Sequence, residues 1–195
     1  LLLLPSLLIL SACSSLPGAV GSSDQATGFV LPPYRTHLNL QGRLSVRYQQ
    51  QGKEESVSGS FEWQQQGEKL DVTLRSPLGQ TLALIQVHDG RASLTQAGQP
   101  PLFADNVDAL VTQTLGWPLP ISGLRLWLQG RAQGADAVAF SASPQANTVT
   151  TLDGWRLRFV SWHPDASPKR IDLERDTTQA GTVALRLVLD LPMPL

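Results

Sequence analysis

Leu44, Val46 and Tyr48 alternate with Arg43, Ser45 and Arg47, and this two-residue rhythm recurs along most of the chain. Val57, Gly59, Phe61 and Trp63 alternate with Ser58, Ser60 and Glu62, and Leu70, Val72 and Leu74 with Asp71, Thr73 and Arg75. Val183, Leu185, Leu187, Leu189 and Leu191 keep the same beat to near the C-terminus. A strand points successive side chains to opposite faces, so such segments bury one face and wet the other. That is the demand of an antiparallel sheet covered on one side only. Further strands are expected at 81–88, 91–96, 137–142, 147–152, 155–162, 169–175 and 182–191. The links 49–55 and 64–69, rich in Gln and Gly, read as hairpin loops. The 14 prolines and 16 glycines, spread between short apolar runs, suit a fold with many turns.

Two segments break the rhythm. Within 104–117, Val107, Leu110, Val111, Thr114 and Leu115 fall on one helical face. Asp105 fits an N-cap, Asp108 suits the positive end of the helix dipole, and Gly116 and Pro118 stop the helix. A shorter helix is expected over 121–129, with Leu124, Trp127 and Leu128 on one side and Gly130 beyond its end. The order is thus four or five strands, two helices, then more strands, which allows a curved sheet with helices over its concave face. Periodicity leaves open whether the enclosed space is solid core or cavity; close packing in protein interiors favours solid core.

The start of the chain has a different character. Residues 1–10 are apolar and uncharged, too short a run to span a bilayer but suited to the core of a signal peptide. Leu10-Ser11-Ala12-Cys13 resembles the lipobox of bacterial lipoproteins, in which Cys13 would be lipidated and become the mature N-terminus. A plain secretory leader with an incidental Cys is the alternative. With no Met and no basic residue before Leu1, the sequence reads as starting inside its leader. Cys13 is the single cysteine, so an internal disulfide is excluded. Residues 14–33, with their Ser, Gly and Pro, read as a flexible tether from anchor to domain. The expected organisation is a leader over 1–12, lipidated Cys13 and tether over 13–33, and one domain over 34–195. The net charge of −1 gives no reason to expect nucleic acid.

A search for chemistry finds little. His37, His88 and His163 form no metal-ligand pattern, and neither a Gly-x-Ser-x-Gly elbow nor a phosphate-binding Gly-Lys loop occurs. Glu62, Asp71 and Asp190 fall on polar strand faces and read as solvated charges. In Arg75-Ser76-Pro77-Leu78-Gly79, Pro77 and Gly79 fit the second and fourth positions of a type I turn. Nothing in that backbone requires the large apolar Leu78 between them. It either folds back on its own hairpin or forms an apolar tip able to touch lipid. Gly116-Trp117-Pro118-Leu119-Pro120 is either a hinge between two lid helices or a rigid link. Trp63, Trp127 and Trp155 lie on inward faces, where core packing is the default.

Several of these segments, in order, resemble the LolB family of outer-membrane lipoprotein receptors. They are Gly42-Arg43-Leu44-Ser45-Val46, Phe61-Glu62-Trp63-Gln64-Gln65, Arg75-Ser76-Pro77-Leu78-Gly79-Gln80 and Leu115-Gly116-Trp117-Pro118-Leu119-Pro120. Leu124-Arg125-Leu126-Trp127-Leu128-Gln129-Gly130, Pro168-Lys169-Arg170-Ile171 and Leu185-Arg186-Leu187-Val188-Leu189-Asp190 continue the likeness. The ending, 191–195, departs from it by lacking a Trp. The resemblance implies a mainly β fold: a half-open antiparallel β-barrel with a helical lid over an apolar cavity. It implies a non-enzymatic, monomeric protein anchored to the outer membrane and facing the periplasm. Its task would be to accept acylated lipoproteins from a LolA-like periplasmic carrier and insert them into the inner leaflet, with no cofactor and no ATP. Ser14 after the Cys agrees with outer-membrane sorting.

On this view Cys13 is the anchor and Leu78 the membrane-transfer tip. Leu44, Val46, Phe61, Trp63, Leu70, Val72, Leu74, Leu110, Leu115, Leu124 and Trp127 line the acyl cavity. Three alternatives differ in kind: a soluble LolA-like carrier, a structural lipoprotein with a solid core, and a hydrolase.

Overall fold

The computed structural model describes residues 28–191. Cys13, the expected leader and residues 192–195 lie outside the described residues.

The alternating segments form the expected strands. β1 (His37–Gln50) and β2 (Lys53–Gln66) are joined by Gln51 and Gly52 alone. Both have positive φ, 52° and 77°, as a tight two-residue hairpin turn requires. The expected loops at 49–55 and 64–69 are therefore too long. Gln49, Gln50 and Gln64–Gln66 stay in strand register, and only Gly67 and Glu68 separate β2 from β3 (Lys69–Arg75). β4 (Thr81–His88), β5 (Arg91–Gln96) and β6 (Leu102–Ala104) follow. Six strands thus precede the helices, against the four or five that the rhythm announced, because a three-residue edge strand is too short to show a period.

α1 (Val107–Leu115) is shorter than the expected 104–117, since Ala104 pairs with Ala92 in the sheet. Its N-cap is Asn106, not Asp105: the Asn106 side chain accepts from the Ala109 amide at 2.8 Å. Gly116, at φ 81°, ends the helix as expected. α2 (Ile121–Trp127) stops two residues short of the expected end. β7 (Arg131–Gln133) and β8 (Ala139–Ser141) make a separate small hairpin. β9 (Thr148–Thr150), β10 (Arg156–Trp162), β11 (Pro168–Thr177) and β12 (Gly181–Leu189) return to the main sheet.

That sheet has ten antiparallel strands in the order β6-β5-β4-β3-β2-β1-β12-β11-β10-β9. The first and last strands meet in its middle, with Leu44 opposite Leu187 and Val46 opposite Leu185. The edges β6 and β9 do not pair with each other, so the barrel stays half open. One face carries the apolar series of every strand and forms a single core with the helices, α1 packing on β5 and β6. Burial at this face, at about 25 cal/mol per Å², is the main stabilising term.

Candidate functional site

The space between sheet and helices is the first candidate feature. Leu44, Phe61, Trp63, Val72 and Leu74 from the sheet and Leu124 from α2 surround it, joined by Leu119, Ile121, Leu128 and Leu187. All ten are apolar, and the void they leave measures only about 10 Å³. Such a space holds at most one water and no acyl chain. Val46, Leu70, Leu110 and Trp127 are buried in the same cluster without lining the void, and Leu115 is partly buried against it. Leu119 was hidden in the Trp117–Pro120 link, where it and Trp117 plug into the core rather than hang as a hinge.

The two helices cover this interior and are held at their margins by a few polar contacts. Arg125 reaches from α2 to the β2–β3 turn, donating to the carbonyls of Gly67 at 3.1 Å and Glu68 at 2.7 Å. α2 has no capping side chain of its own. Asp108 on α1 supplies one instead, accepting from the Ser122 amide at 3.0 Å and tying the two helices together. Burial raises the Asp108 pKa above its ordinary value, outweighing the hydrogen bonds from Ser122. Gly123, in mid-helix where glycine costs about 1 kcal/mol against Ala, is there for space. Trp127 folds back across it, and a Cβ at this position would strike the indole ring. Trp127 then meets Trp155 edge to face at 6.3 Å.

Two buried glutamines escaped the sequence reading, because polar residues at inward positions carry no periodic mark. Gln65 accepts from the Trp63 indole and donates to the Tyr34 hydroxyl at 3.1 Å. Gln129 clamps the Arg35 backbone, accepting from its amide at 2.8 Å and donating to its carbonyl at 3.1 Å. Contacts of the N-terminal segment with the body start earlier still. Phe29 packs edge-on against Trp162 at 4.7 Å, and Arg131 donates to the Pro32 carbonyl at 2.6 Å.

The tip between β3 and β4 is the second feature. Gly79 donates to the Ser76 carbonyl at 2.9 Å, closing the expected turn, and Gly79 has φ 82°. Leu78 is 88% exposed, so it does not fold back on its hairpin. Gly59 positions this loop: the end of β3 crosses so close that a Cβ there would run into the Arg75 carbonyl oxygen. Glu62 and Asp71 sit on the outer face, Glu62 paired with Arg75 at 3.1 Å and Asp71 bonded to Gln86 at 2.7 Å. Among the described residues no group of three or more His, Cys, Asp or Glu is placed to hold a metal.

Comparison with known proteins finds a family and close relatives in sequence. The family described as "Outer membrane lipoprotein LolB" matches residues 36–191. The outer-membrane lipoprotein LolB of Cupriavidus necator is 38% identical over 187 residues, 94% of this chain and 90% of its own length. The namesake from Cupriavidus taiwanensis is 40% identical over 162 residues, 78% of this chain and 79% of its own. Among solved structures, a LolA superfamily protein from Nitrosomonas europaea covers 83% of this chain and 89% of its own, at 10% identity and a TM-score of 0.46.

Proposed function

Since this chain belongs to the LolB family, we propose that it is an outer-membrane lipoprotein receptor whose lid opens to take the acyl chains of a lipoprotein. One observation carries this reading. The void beneath the lid is lined wholly by apolar side chains: Leu119, Ile121, Leu124 and Leu128 on the lid side, Leu44, Phe61, Trp63, Val72, Leu74 and Leu187 on the sheet side. Separating the layers there exposes apolar side chains that an acyl chain can cover in place of the lid's own contacts, while the polar bonds of Arg125 and Gln129 lie at the margins.

The energetics need no catalytic group. A buried CH₂ is worth about 0.8 kcal/mol, so one long acyl chain free in water costs roughly 10 kcal/mol or more. Passing the chain from one apolar pocket to another, or to a bilayer, largely cancels that cost. A difference of about 1.4 kcal/mol between successive sites already gives tenfold direction. The cargo comes from a LolA-like carrier, and the transfer needs neither ATP nor cofactor. Cys13 carries the lipid that holds the protein to the outer membrane, and Leu78 dips into the acceptor leaflet as cargo leaves.

Uptake and release are tested separately. The detergent-solubilised chain is expected to co-purify with an acylated lipoprotein in a stoichiometric complex and not with the same protein lacking its acyl chains. Leu78→Glu is expected to leave uptake intact and stall release into liposomes. Normal release by that variant removes the tip from the mechanism, and failure of the wild type to retain acylated cargo removes the receptor reading altogether.

A further inference from the structure

A second void lies on the same apolar face, away from Leu78. β3 ends at Arg75, level with Ser60 and Arg43, so the Leu78 loop leaves the sheet on the Leu44 side of β1. The void sits in the other direction, near the start of β1, and measures about 30 Å³. Leu38 and Leu40 of β1, Leu189 of β12, Pro168 of β11 and Leu128 wall it, and Pro32 from the N-terminal strap, 28–36, closes it. Arg35, Asp165 and Asp190 also border it, but they are exposed and form its rim. Close packing leaves few such voids in a protein interior. Leu128 is the one residue that lines both this void and the one beneath the lid.

The two voids share one floor. Leu38, Leu40 and Leu189 border the second void, and Leu44 and Leu187 border the first. All five are buried on the inward face of β1 and β12. Between them lies Gly42, opposite Leu189 and Phe61, whose missing Cβ leaves room for the Phe61 ring. From Leu38 to Leu44 a strand rises about 20 Å. An acyl chain in one leaflet spans half of a hydrocarbon core about 30 Å thick. The floor therefore has the length of one extended acyl chain. Its far end is held shut by the three residues that follow Leu128. Gln129 clamps the Arg35 backbone, and Arg131 holds the Pro32 carbonyl. Gly130 makes room for Leu31, whose Cδ1 would lie 2.7 Å from a Cβ there.

We infer that the void beneath the strap seats the methyl end of a cargo acyl chain, and that Leu128 is the gate joining it to the space beneath the lid. The inference rests on the reading of that space as the acyl site. A chain enters from the Leu44 side with its methyl end leading, because the strap end is fastened and the cargo polypeptide stays outside. A change of rotamer at Leu128 opens the passage without breaking a polar bond of the strap. Each methylene that passes the gate trades water for apolar surroundings and tightens binding about fourfold.

The test maps where each part of a chain lies. The full detergent-solubilised protein is photolabelled with palmitic acid carrying a diazirine on its terminal carbon, and the labelled residues are located by mass spectrometry. Labels are expected on Pro32, Leu38, Leu40 and Leu189, and an acylated lipoprotein is expected to compete them away. A diazirine near the carboxyl end is expected to label Leu119, Ile121 or Leu124 instead. Terminal labels confined to those lid residues overturn the subsite and leave the acyl site beneath the lid standing. The absence of saturable labelling at either place overturns both. Strap labels that acylated lipoprotein does not displace overturn the assignment to cargo. Leu189→Phe narrows the second void. It is expected to weaken palmitic acid more than decanoic acid, by about fourfold for each methylene it excludes. Both acids are measured in one detergent, so their partition into micelles cancels in the ratio of variant to wild type. Equal weakening of the two acids contradicts the inference.

Discussion

Arg125→Ala should open the lid without touching the apolar interior. The side chain spans from α2 to the β2–β3 turn with two charge-assisted hydrogen bonds, at 3.1 and 2.7 Å. Bonds from a charged donor contribute about 1.5–3 kcal/mol each where solvent is excluded. The Gly67 bond is only part-buried and the Glu68 bond is exposed, so a combined loss of about 2 kcal/mol is reasonable. If the lid lifts while the sheet stays folded, that loss raises the open population by about 30-fold. The apparent affinity for an acyl ligand scales with the binding-competent fraction while that fraction is small, so it should rise by the same factor. The same bonds are lost on unfolding, and the melting temperature should fall by about 4–8 °C.

Hydrogen exchange separates the two events. The amides of α1 and α2 should exchange through an opening of lower free energy than those of β1 and β12, and the variant should speed the helical amides by about 30-fold. Binding of a fluorescent fatty acid reports the affinity directly. Arg125→Lys, which keeps the charge but not the forked geometry, should fall between. If the helical amides exchange only with the same free energy as the central strands, the lid does not open independently. The proposed entry route then fails, whatever happens to the melting temperature.

Two further substitutions test the supports of the site. Gly59→Ala should displace the end of β3 from the Arg75 carbonyl onward, cost about 1–3 kcal/mol as overpacking does, and slow cargo release more than uptake, because the Leu78 loop moves with it. Normal stability and release would show that the close crossing is not needed. Asp108→Asn should keep the acceptor for Ser122 while removing a charge whose folded-state pKa is raised by burial. A raised carboxyl pKa means that folding favours the protonated form. Its contribution is therefore full below the unfolded value of 3.8 and is lost as pH rises through the folded value. The variant's melting temperature relative to wild type should climb across that window and stay higher at neutral pH. A difference that is flat with pH, or that falls, would contradict the assignment.

Much of the fold was legible because the core face obeys one rule. Val46, Phe61, Trp63, Leu70, Val72 and Leu187 are buried where alternation puts them, and Val107, Leu110 and Val111 where the helical period does. The errors fall where that rule is silent. Asp105 and Asn106 are both good caps one residue apart, and the choice depends on the backbone leaving β6, which is itself too short to read. Glutamine-rich stretches look like loops, yet Gln65 is buried because Tyr34 and Trp63 satisfy its amide. Leu78 was visible as an oddity, but only the closed turn shows its side chain held in solvent. The lid's polar fastenings lie far apart in sequence, as Arg125 and Gly67 do, and no local pattern announces them.

On the proposed function a filled interior is the expected resting state. A binding site for apolar chains must wait in water without cargo, and an empty apolar cavity is costly, at about 24 cal/mol per Å³. A hollow of about 300 Å³, at the small end of ligand pockets, would cost roughly 7 kcal/mol. That is comparable with the whole stability of a typical domain, about 5–15 kcal/mol. Leu119, Ile121, Leu124 and Leu128 avoid this by occupying the space themselves, which leaves about 10 Å³. Under this proposal the lid is a stand-in for the ligand. Each acyl chain that enters displaces apolar contacts of similar kind, and net affinity is a small difference between two large terms. A receptor balanced in this way holds cargo loosely enough for a bilayer to take it, and an apolar tip such as Leu78 needs only to bring the two apolar phases together.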